Sequence, residues 1–176
     1  MKTKTKYLLK PFLLTAGIVL LDQITKLVIV RTVPLHTVGA KVIGDFFRIV
    51  HVRNLGIAFS IGRSAAGGAR SILFTLLPIV LMAVLTIYYF RTREFTRAQR
   101  WAVAGIIGGG VGNIIDRIFR PLGVVDFLDF KFYGLFGLER WPTFNVADMS
   151  VVICGILLFF LFLFQKKESV PDEQED

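Results

Sequence analysis

The chain has 176 residues, of which 54% are hydrophobic and only 19% are charged. The length favours one domain, and the composition is too apolar for an ordinary soluble domain. The net charge of +8 is compatible with nucleic-acid binding, but the basic residues flank apolar segments, as in membrane proteins. We therefore predict a mainly α-helical integral membrane protein with a single domain over residues 1–176, and no nucleic-acid partner.

Four apolar segments each approach the roughly 20 residues that a helix needs to cross a bilayer. We predict membrane spans at approximately 11–30, 71–90, 101–119 and 146–164. The first span is not a plain signal peptide, because it carries Asp22 and Lys26 and lacks a small-residue cleavage site.

The distribution of basic residues predicts the orientation of these spans. The segments 1–10 and 91–100 hold four Lys or Arg each, whereas the connections 31–70 and 120–145 hold nine over 66 residues. The positive-inside rule therefore predicts that both termini are cytoplasmic and that the two long connections are outer loops. The acidic segment at approximately 167–176 is predicted to be a disordered tail.

The first span and the connection after it contain the first structural signals. Asp22 and Lys26 lie four residues apart on one helix face, where an acid and a base can pair. Ionisable residues in a span are functional candidates, but we interpret this pair as structural support. The run "FFRIVHVR" at 46–53 is rich in aromatic and β-branched residues and predicts a short strand.

The third span combines a glycine-rich face with a polar end. In "GIIGGGVGNIIDR", two pairs of glycines lie four residues apart, so another helix or a lipid chain can approach closely. Asn113, Asp116 and Arg117 share a helix face at the predicted outer boundary. Asp116 and Arg117 could be interfacial anchors only, but an anchor does not need an asparagine on the same face.

Two further aspartates lie within the second long connection and just after it. Asp126 follows the helix-breaking residues Pro121 and Gly123 and has bulky apolar neighbours, which can raise the pKa of its carboxyl group. Alternatively, it is a turn aspartate exposed to water. Asp148 lies three residues after Asn145, which could cap the fourth helix and leave Asp148 in its first turn.

The predicted topology brings Asp126 and Asp148 to the same membrane boundary. Two carboxylates that share a site can act as an aspartic-protease pair, because only one of them ionises readily. The charged carboxylate activates water, and the protonated one polarises the scissile carbonyl and later protonates the leaving amine. Asn113 and Asn145 could orient the pair or hold the substrate backbone.

Other kinds of site find little support in the sequence. His36 and His51 are the only histidines, and no cysteine lies near them in the sequence, so we expect no metal site. Cys154 is the only cysteine and is interpreted as a small packing residue. The glycine run in the third span is not followed by a lysine, so it does not predict a phosphate site.

With its four predicted spans and five sequence motifs, the chain resembles the bacterial lipoprotein signal peptidases, also called signal peptidase II or prolipoprotein signal peptidase. These motifs are "LDQITK", "NLGIAFS", "GGGVGNIIDR", "GVVDF" and "WPTFNVAD". The resemblance implies four transmembrane helices with a small extracytoplasmic β-cradle and a short external helix, the latter two built from residues 31–70.

The resemblance also implies an activity. Members of this family are aspartic endopeptidases of the inner membrane that remove the signal peptide from diacylglyceryl-modified prolipoproteins, cutting just before the lipidated cysteine. They need no cofactor, and globomycin is their characteristic inhibitor. Asp126 and Asp148 match the catalytic pair, and Asp129 matches no catalytic position. We expect a monomer that contacts membrane lipid and the prolipoprotein.

The remaining expected site residues fall into two groups. The first comprises residues that bind substrate or inhibitor or support the catalytic pair: Asn54, Gly56, Asn113, Arg117 and Asn145. The second comprises residues that support the structure: Asp22, Lys26 and Asp116.

Three other hypotheses remain at the level of sequence. A small transporter could use Asp22, Lys26, Asp116 and Arg117 as a relay, although no inverted repeat is visible. A non-catalytic assembly subunit would need neither Asp126 nor Asp148. The third hypothesis is another kind of intramembrane aspartyl protease. Such proteases usually place both aspartates deeper in the membrane and have longer chains with many spans.

Overall fold

The computed structural model describes residues 7–55 and 72–164, with only the backbone for residues 72 and 73. Within these ranges, four helices are long and apolar enough to cross a membrane, which confirms the predicted number of membrane-spanning helices. They cover Tyr7–Thr32, Phe74–Arg91, Arg97–Phe119 and Val146–Leu163. Their regular α-helical parts are α1 (Phe12–Thr32), α2 (Leu77–Arg91, after a π-helical turn at Ile72–Leu76), α3 (Arg97–Phe119) and α4 (Val146–Leu163).

Helix α3 begins earlier than the apolar pattern predicts because a capping box precedes it. The Thr96 hydroxyl accepts a hydrogen bond from the Gln99 backbone N–H at 3.3 Å. In return, the Gln99 side-chain oxygen accepts one from the Thr96 N–H at 2.9 Å. Two N–H groups at the helix start are thereby satisfied.

Helix α3 is the centre of the bundle and packs against α1, α2 and α4. The other three helices expose large apolar side chains, as expected for surfaces that face lipid. Examples are Leu13, Leu20, Val28, Val84, Ile87 and Phe159.

The glycines of α3 allow its close contact with neighbouring helices. A Cβ atom at Gly109 would collide with the Ala147 carbonyl oxygen of α4, and one at Gly105 would collide with the Cys154 sulfur. These glycines therefore accommodate protein neighbours, and Cys154 fills space beside α3. Ser150 adds a polar contact by donating a hydrogen bond to the Gly105 carbonyl oxygen at 2.9 Å.

A three-stranded antiparallel sheet lies at one end of the bundle, in the order β1 (Val38–Ile43), β2 (Phe47–Asn54) and β3 (Val124–Phe130). Strand β2 confirms the strand predicted from "FFRIVHVR". The expectation that residues 31–70 alone build the cradle is wrong, because β3 comes from the other long connection and pairs along β2. Residues 56–71, which include the second part of the segment 31–70 expected to supply the external helix, and the tail at 167–176 lie outside the described ranges.

The sheet is fastened to the bundle by an apolar cluster and by the start of α4. Val125 and Phe127 of β3 pack with Ile29 of α1 and with Val33, the residue that follows this helix. Because successive side chains of a strand face opposite sides, Asp126 lies on the other face of β3. The Leu128 N–H donates a hydrogen bond to the Phe144 carbonyl oxygen at 2.8 Å, which brings the residues before α4 alongside β3.

Candidate active site

Asp126 and Asp148 meet where the sheet joins the helices. Asp126 lies on β3 with only 2% of its surface exposed, so the alternative of a water-exposed turn aspartate is wrong. Asp148 is half-buried in the first turn of α4. One carboxylate therefore belongs to a strand and the other to a helix start.

Asn145 contacts both carboxylates. Its side-chain N–H donates to Asp126 Oδ1 at 2.7 Å, and its backbone N–H donates to Asp148 Oδ2 at 3.1 Å. The Asn145 side-chain oxygen accepts from the Asp148 N–H at 2.9 Å, which completes a capping box. The predicted cap is confirmed, and the same residue also reaches the second aspartate.

Two more asparagines bind the carboxylate oxygens of Asp126 and Asp148 that Asn145 does not contact. Asn113 of α3 donates to Asp148 Oδ1 at 2.7 Å, and its own oxygen accepts from Asn145 at 3.1 Å. Asn54 of β2 donates to Asp126 Oδ2 at 3.0 Å. All four carboxylate oxygens thus accept an N–H, which sets the orientation of both groups.

Burial controls the titration of Asp126. Desolvation and, after it, the charge of Asp148 raise the pKa of Asp126 from 3.8 to about 7. Hydrogen bonds from Asn54 and Asn145 and the charge of Lys26 oppose this shift. Asp126 consequently exchanges its proton near neutral pH, as a catalytic acid requires.

A buried cluster of charges lies beside the pair. The Lys26 Nζ atom is 2.8 Å from Asp22 Oδ2 and 3.2 Å from Asp116 Oδ2. Arg120 Nε is 3.0 Å from Asp116 Oδ1. Asp116 is fully buried in this cluster, so the interpretation of Asp116 as an interfacial anchor is wrong. The two acids and two bases compensate each other, which a buried arrangement requires.

The charge cluster fixes the residues immediately before each aspartate. Asp22 accepts the N–H of Ala147 at 3.0 Å, and Asp116 accepts the N–H of Val125 at 3.0 Å. Lys26 also donates to the Asn113 oxygen at 3.0 Å, which turns the Asn113 N–H toward Asp148. Side chains from α1 and α3 therefore position the backbone of both β3 and α4.

Two members of this cluster were missed at the sequence level. The Gln23 side-chain N–H group lies within hydrogen-bond distance of Asp22, the Gly112 carbonyl and Asp116, at 3.0, 3.1 and 3.1 Å. Its oxygen accepts from Arg120 at 3.3 Å. The available signals were an amide within an apolar span and an arginine four residues after Asp116.

Arg117 lies half-buried near the pair and interacts electrostatically with Asp148 and Asp126. Its side chain makes no hydrogen bond or ion pair with residues 7–55 or 72–164. Gly56 lies outside those ranges. Asp129 is buried away from the pair, where Arg48 and Arg140 bind it at 2.6 and 2.8 Å.

A pocket of about 290 Å³ opens at the Asp126 carboxylate and is lined by Val52, Asn54, Pro142 and Thr143, among others. Within the described part of the chain, no group of three or more His, Cys, Asp or Glu side chains is placed to hold a metal ion. A buried acid that exchanges its proton near neutrality, with a carboxylate beside it and a pocket in front, suits acid–base hydrolysis.

Comparison with known proteins identifies the family. Residues 14–164 match the family model described as signal peptidase (SPase) II. The chain belongs to the signal peptidase II family. As a member, it is an aspartic peptidase and a multi-pass membrane protein, which sets aside the transporter and assembly-subunit hypotheses.

Several curated relatives of this signal peptidase II chain are named lipoprotein signal peptidase. That of Treponema pallidum (strain Nichols) is 52% identical over 157 residues, covering 89% of this chain and 84% of the relative. That of Treponema denticola is 51% identical over 156 residues, covering 89% of each chain. That of Borrelia turicatae is 46% identical over 163 residues, covering 92% and 94%.

Two solved structures, each described as a bacterial membrane enzyme studied by the in meso method, share the fold. The one at 1.9 Å resolution has a TM-score of 0.75 and 29% identity, covering 89% of this chain and 94% of its own. The one at 2.3 Å has a TM-score of 0.72 and 27% identity, covering 95% and 93%. The expected membrane-enzyme fold, with four helices and a small sheet, is thereby confirmed.

Proposed function

We propose that this signal peptidase II removes the signal peptide from diacylglyceryl-modified prolipoproteins by cutting just before the lipidated cysteine. The catalytic groups are Asp126 and Asp148, which together activate one water molecule. The observation that carries this proposal is the bridge by Asn145, which holds both carboxylates through hydrogen bonds of 2.7 and 3.1 Å. The family and its curated relatives support the lipoprotein substrate.

The two aspartates take different parts in the reaction. Asp148 receives N–H groups from Asn113 and from the Asn145 backbone, at a helix start where the dipole favours negative charge. It is the general base that takes a proton from water. Asp126 is more deeply buried and has a pKa of about 7, so it holds the proton that polarises the scissile carbonyl. It then protonates the leaving amine.

The surrounding polar residues support this chemistry without exchanging protons. Asn54, Asn113 and Asn145 keep the carboxylates in place, and Arg117 is available to bind substrate carbonyl groups near the pair. Gly56 is proposed to line the same site on the strength of the family motif alone. The charge cluster of Asp22, Lys26 and Asp116 is structural support.

The orientation follows from the charge pattern of the sequence. Basic segments on the side away from the sheet favour cytoplasmic termini. The sheet and the catalytic pair then lie at the outer face of the inner membrane, where an exported precursor arrives. Acyl chains on the substrate contribute about 0.8 kcal/mol per CH₂ buried in the membrane. We further propose that the enzyme is a monomer and that globomycin inhibits it.

The test is cleavage of a diacylglyceryl-modified prolipoprotein by the purified protein in detergent. Asp126→Asn and Asp148→Asn should each reduce kcat by about 10²–10⁴-fold or more, since each removes an acid–base group. Glu94→Gln, which changes an exposed carboxylate in the connection between α2 and α3, is the control and should cut normally. Substrate without the lipid should remain intact, and globomycin should block the wild type.

Two results would contradict this proposal. Cleavage by a folded Asp126→Asn or Asp148→Asn variant would show that the two aspartates are not the catalytic pair. Equal cleavage of lipidated and unlipidated substrate would show that the enzyme does not recognise the lipid. The pH dependence of kcat/KM should belong to the coupled pair, and not to either aspartate alone.

A further inference from the structure

A second pocket of about 380 Å³ lies on the sheet beside the one at Asp126. The two pockets share Val52, Pro142 and Thr143 in their walls. The two pockets are therefore adjacent, and together they form a groove along the sheet that begins at Asp126. We call the outer half of this groove the outer pocket.

An ion-pair network forms the floor of the outer pocket. Asp129 is 4% exposed and accepts hydrogen bonds from Arg48 Nε and Arg140 Nε, both at 2.8 Å. Both guanidinium groups remain partly exposed, at 22% of their side-chain surface. They present N–H groups to the pocket while their charge is largely compensated by Asp129 and Asp45.

The remaining walls combine apolar and polar surface. Trp141 is 43% exposed and packs on Phe132 with ring centroids 5.0 Å apart. Val38 of β1 is also 43% exposed. Such a mixture of N–H donors and apolar walls suits an extended peptide, whose carbonyl groups accept hydrogen bonds and whose side chains pack.

We propose that the outer pocket binds the residues that follow the lipidated cysteine, in extended conformation, and thereby contributes to substrate affinity. This inference rests on the proposed function. A signal peptide is apolar and stays beside the spans, and the acyl chains stay in the lipid. Only the chain downstream of the cut leaves the membrane, and the outer pocket is the part of the groove that lies on the sheet farther from Asp126.

The test compares two lipidated substrates with the same signal peptide. The long substrate continues for several residues beyond the modified cysteine, and the short one ends in an amide at that cysteine. For the wild type, KM should be about tenfold higher for the short substrate, as expected when the packing of about one side chain is lost. The value of kcat should change little.

Val38→Trp fills the outer pocket from an exposed strand position, and Val42→Trp is its matched control. Val42 lies on the same strand and is 54% exposed, but it lines neither pocket. Val38→Trp should raise KM for the long substrate about tenfold and leave the short substrate unchanged, whereas Val42→Trp should change neither. Trp141→Ala, which removes a wall, is a second variant with the same expected pattern.

Each outcome separates this inference from the proposed function. If the wild type cuts both substrates with equal KM, the outer pocket does not bind the downstream chain. If Val38→Trp and Trp141→Ala raise KM equally for both substrates, the pocket contacts the lipid or the signal peptide, and the inference is wrong. If the wild type cuts neither substrate, the proposed function fails, and this inference fails with it.

Discussion

Replacing Asp126 with asparagine should make the stability of the protein less sensitive to pH. Asp126 has a pKa of about 7 in the folded protein and an ordinary value of 3.8. The folded state thus holds the proton more tightly than the unfolded state. The stabilisation is full below pH 3.8 and is lost progressively as the pH rises toward 7. Asp126→Asn keeps the shape of the protonated group but cannot ionise.

The magnitude follows from the shift. One pKa unit corresponds to about 1.4 kcal/mol, so between pH 5 and pH 8.5 the wild type should lose about 3 kcal/mol through Asp126. The substitution itself also lowers stability. Asn54 and Asn145 donate hydrogen bonds to the two carboxylate oxygens of Asp126, whereas an asparagine side chain has only one acceptor oxygen. An unsatisfied buried donor costs about 1–2 kcal/mol. Relative to the fully protonated protein, the wild type loses about 1.7 kcal/mol by pH 5 and about 4.4 kcal/mol by pH 8.5, because the unfolded chain ionises first. The variant should therefore be about as stable as the wild type at pH 5 and more stable at pH 8.5.

The assay is thermal unfolding of both proteins in detergent across this pH range. For a chain of this size, 1 kcal/mol shifts Tm by roughly 2–4 °C, so the Tm of the variant should rise by about 6–12 °C relative to that of the wild type between pH 5 and pH 8.5. Asp45→Asn is the control, because ion pairs lower the pKa of exposed Asp45 and keep it charged throughout. A difference in Tm between Asp126→Asn and wild type that stays constant with pH would refute the reasoning.

Three further predictions concern the packing and the charge cluster. Lys26→Met leaves two buried carboxylates without their shared cation and should destabilise the protein by roughly 3–5 kcal/mol, whereas exposed Lys41→Met should be neutral by thermal unfolding. Gly109→Ala pushes α4 away at Ala147 and should cost about 1–3 kcal/mol of stability, seen as a lower Tm. Gly155→Ala meets no atom within 4 Å and should not lower Tm. Thr96→Ala removes the cap of α3 far from the catalytic pair; it should cost about 1 kcal/mol in Tm measurements and leave kcat unchanged, and a large fall in kcat would contradict this.

The sequence by itself determined the features that depend on short stretches of chain. Each apolar segment is long enough to cross a bilayer, so the number of spans follows from composition and length. Asn145 and Asp148 are one helical turn apart, so the cap of α4 could be predicted locally. The motifs around Asp126 and Asp148 indicate these two aspartates from the sequence alone.

Only the tertiary structure decided how distant segments meet at the site. Nothing local indicates that β3 pairs with β2, whose paired residues are at least 70 positions away, or that this pairing buries Asp126. Gln23 and Arg120 are recognised as site residues only from the packing of α1 against the end of α3. The physical reason is that the cost of burying a charge depends on which partners surround it, and here those partners come from different helices and strands.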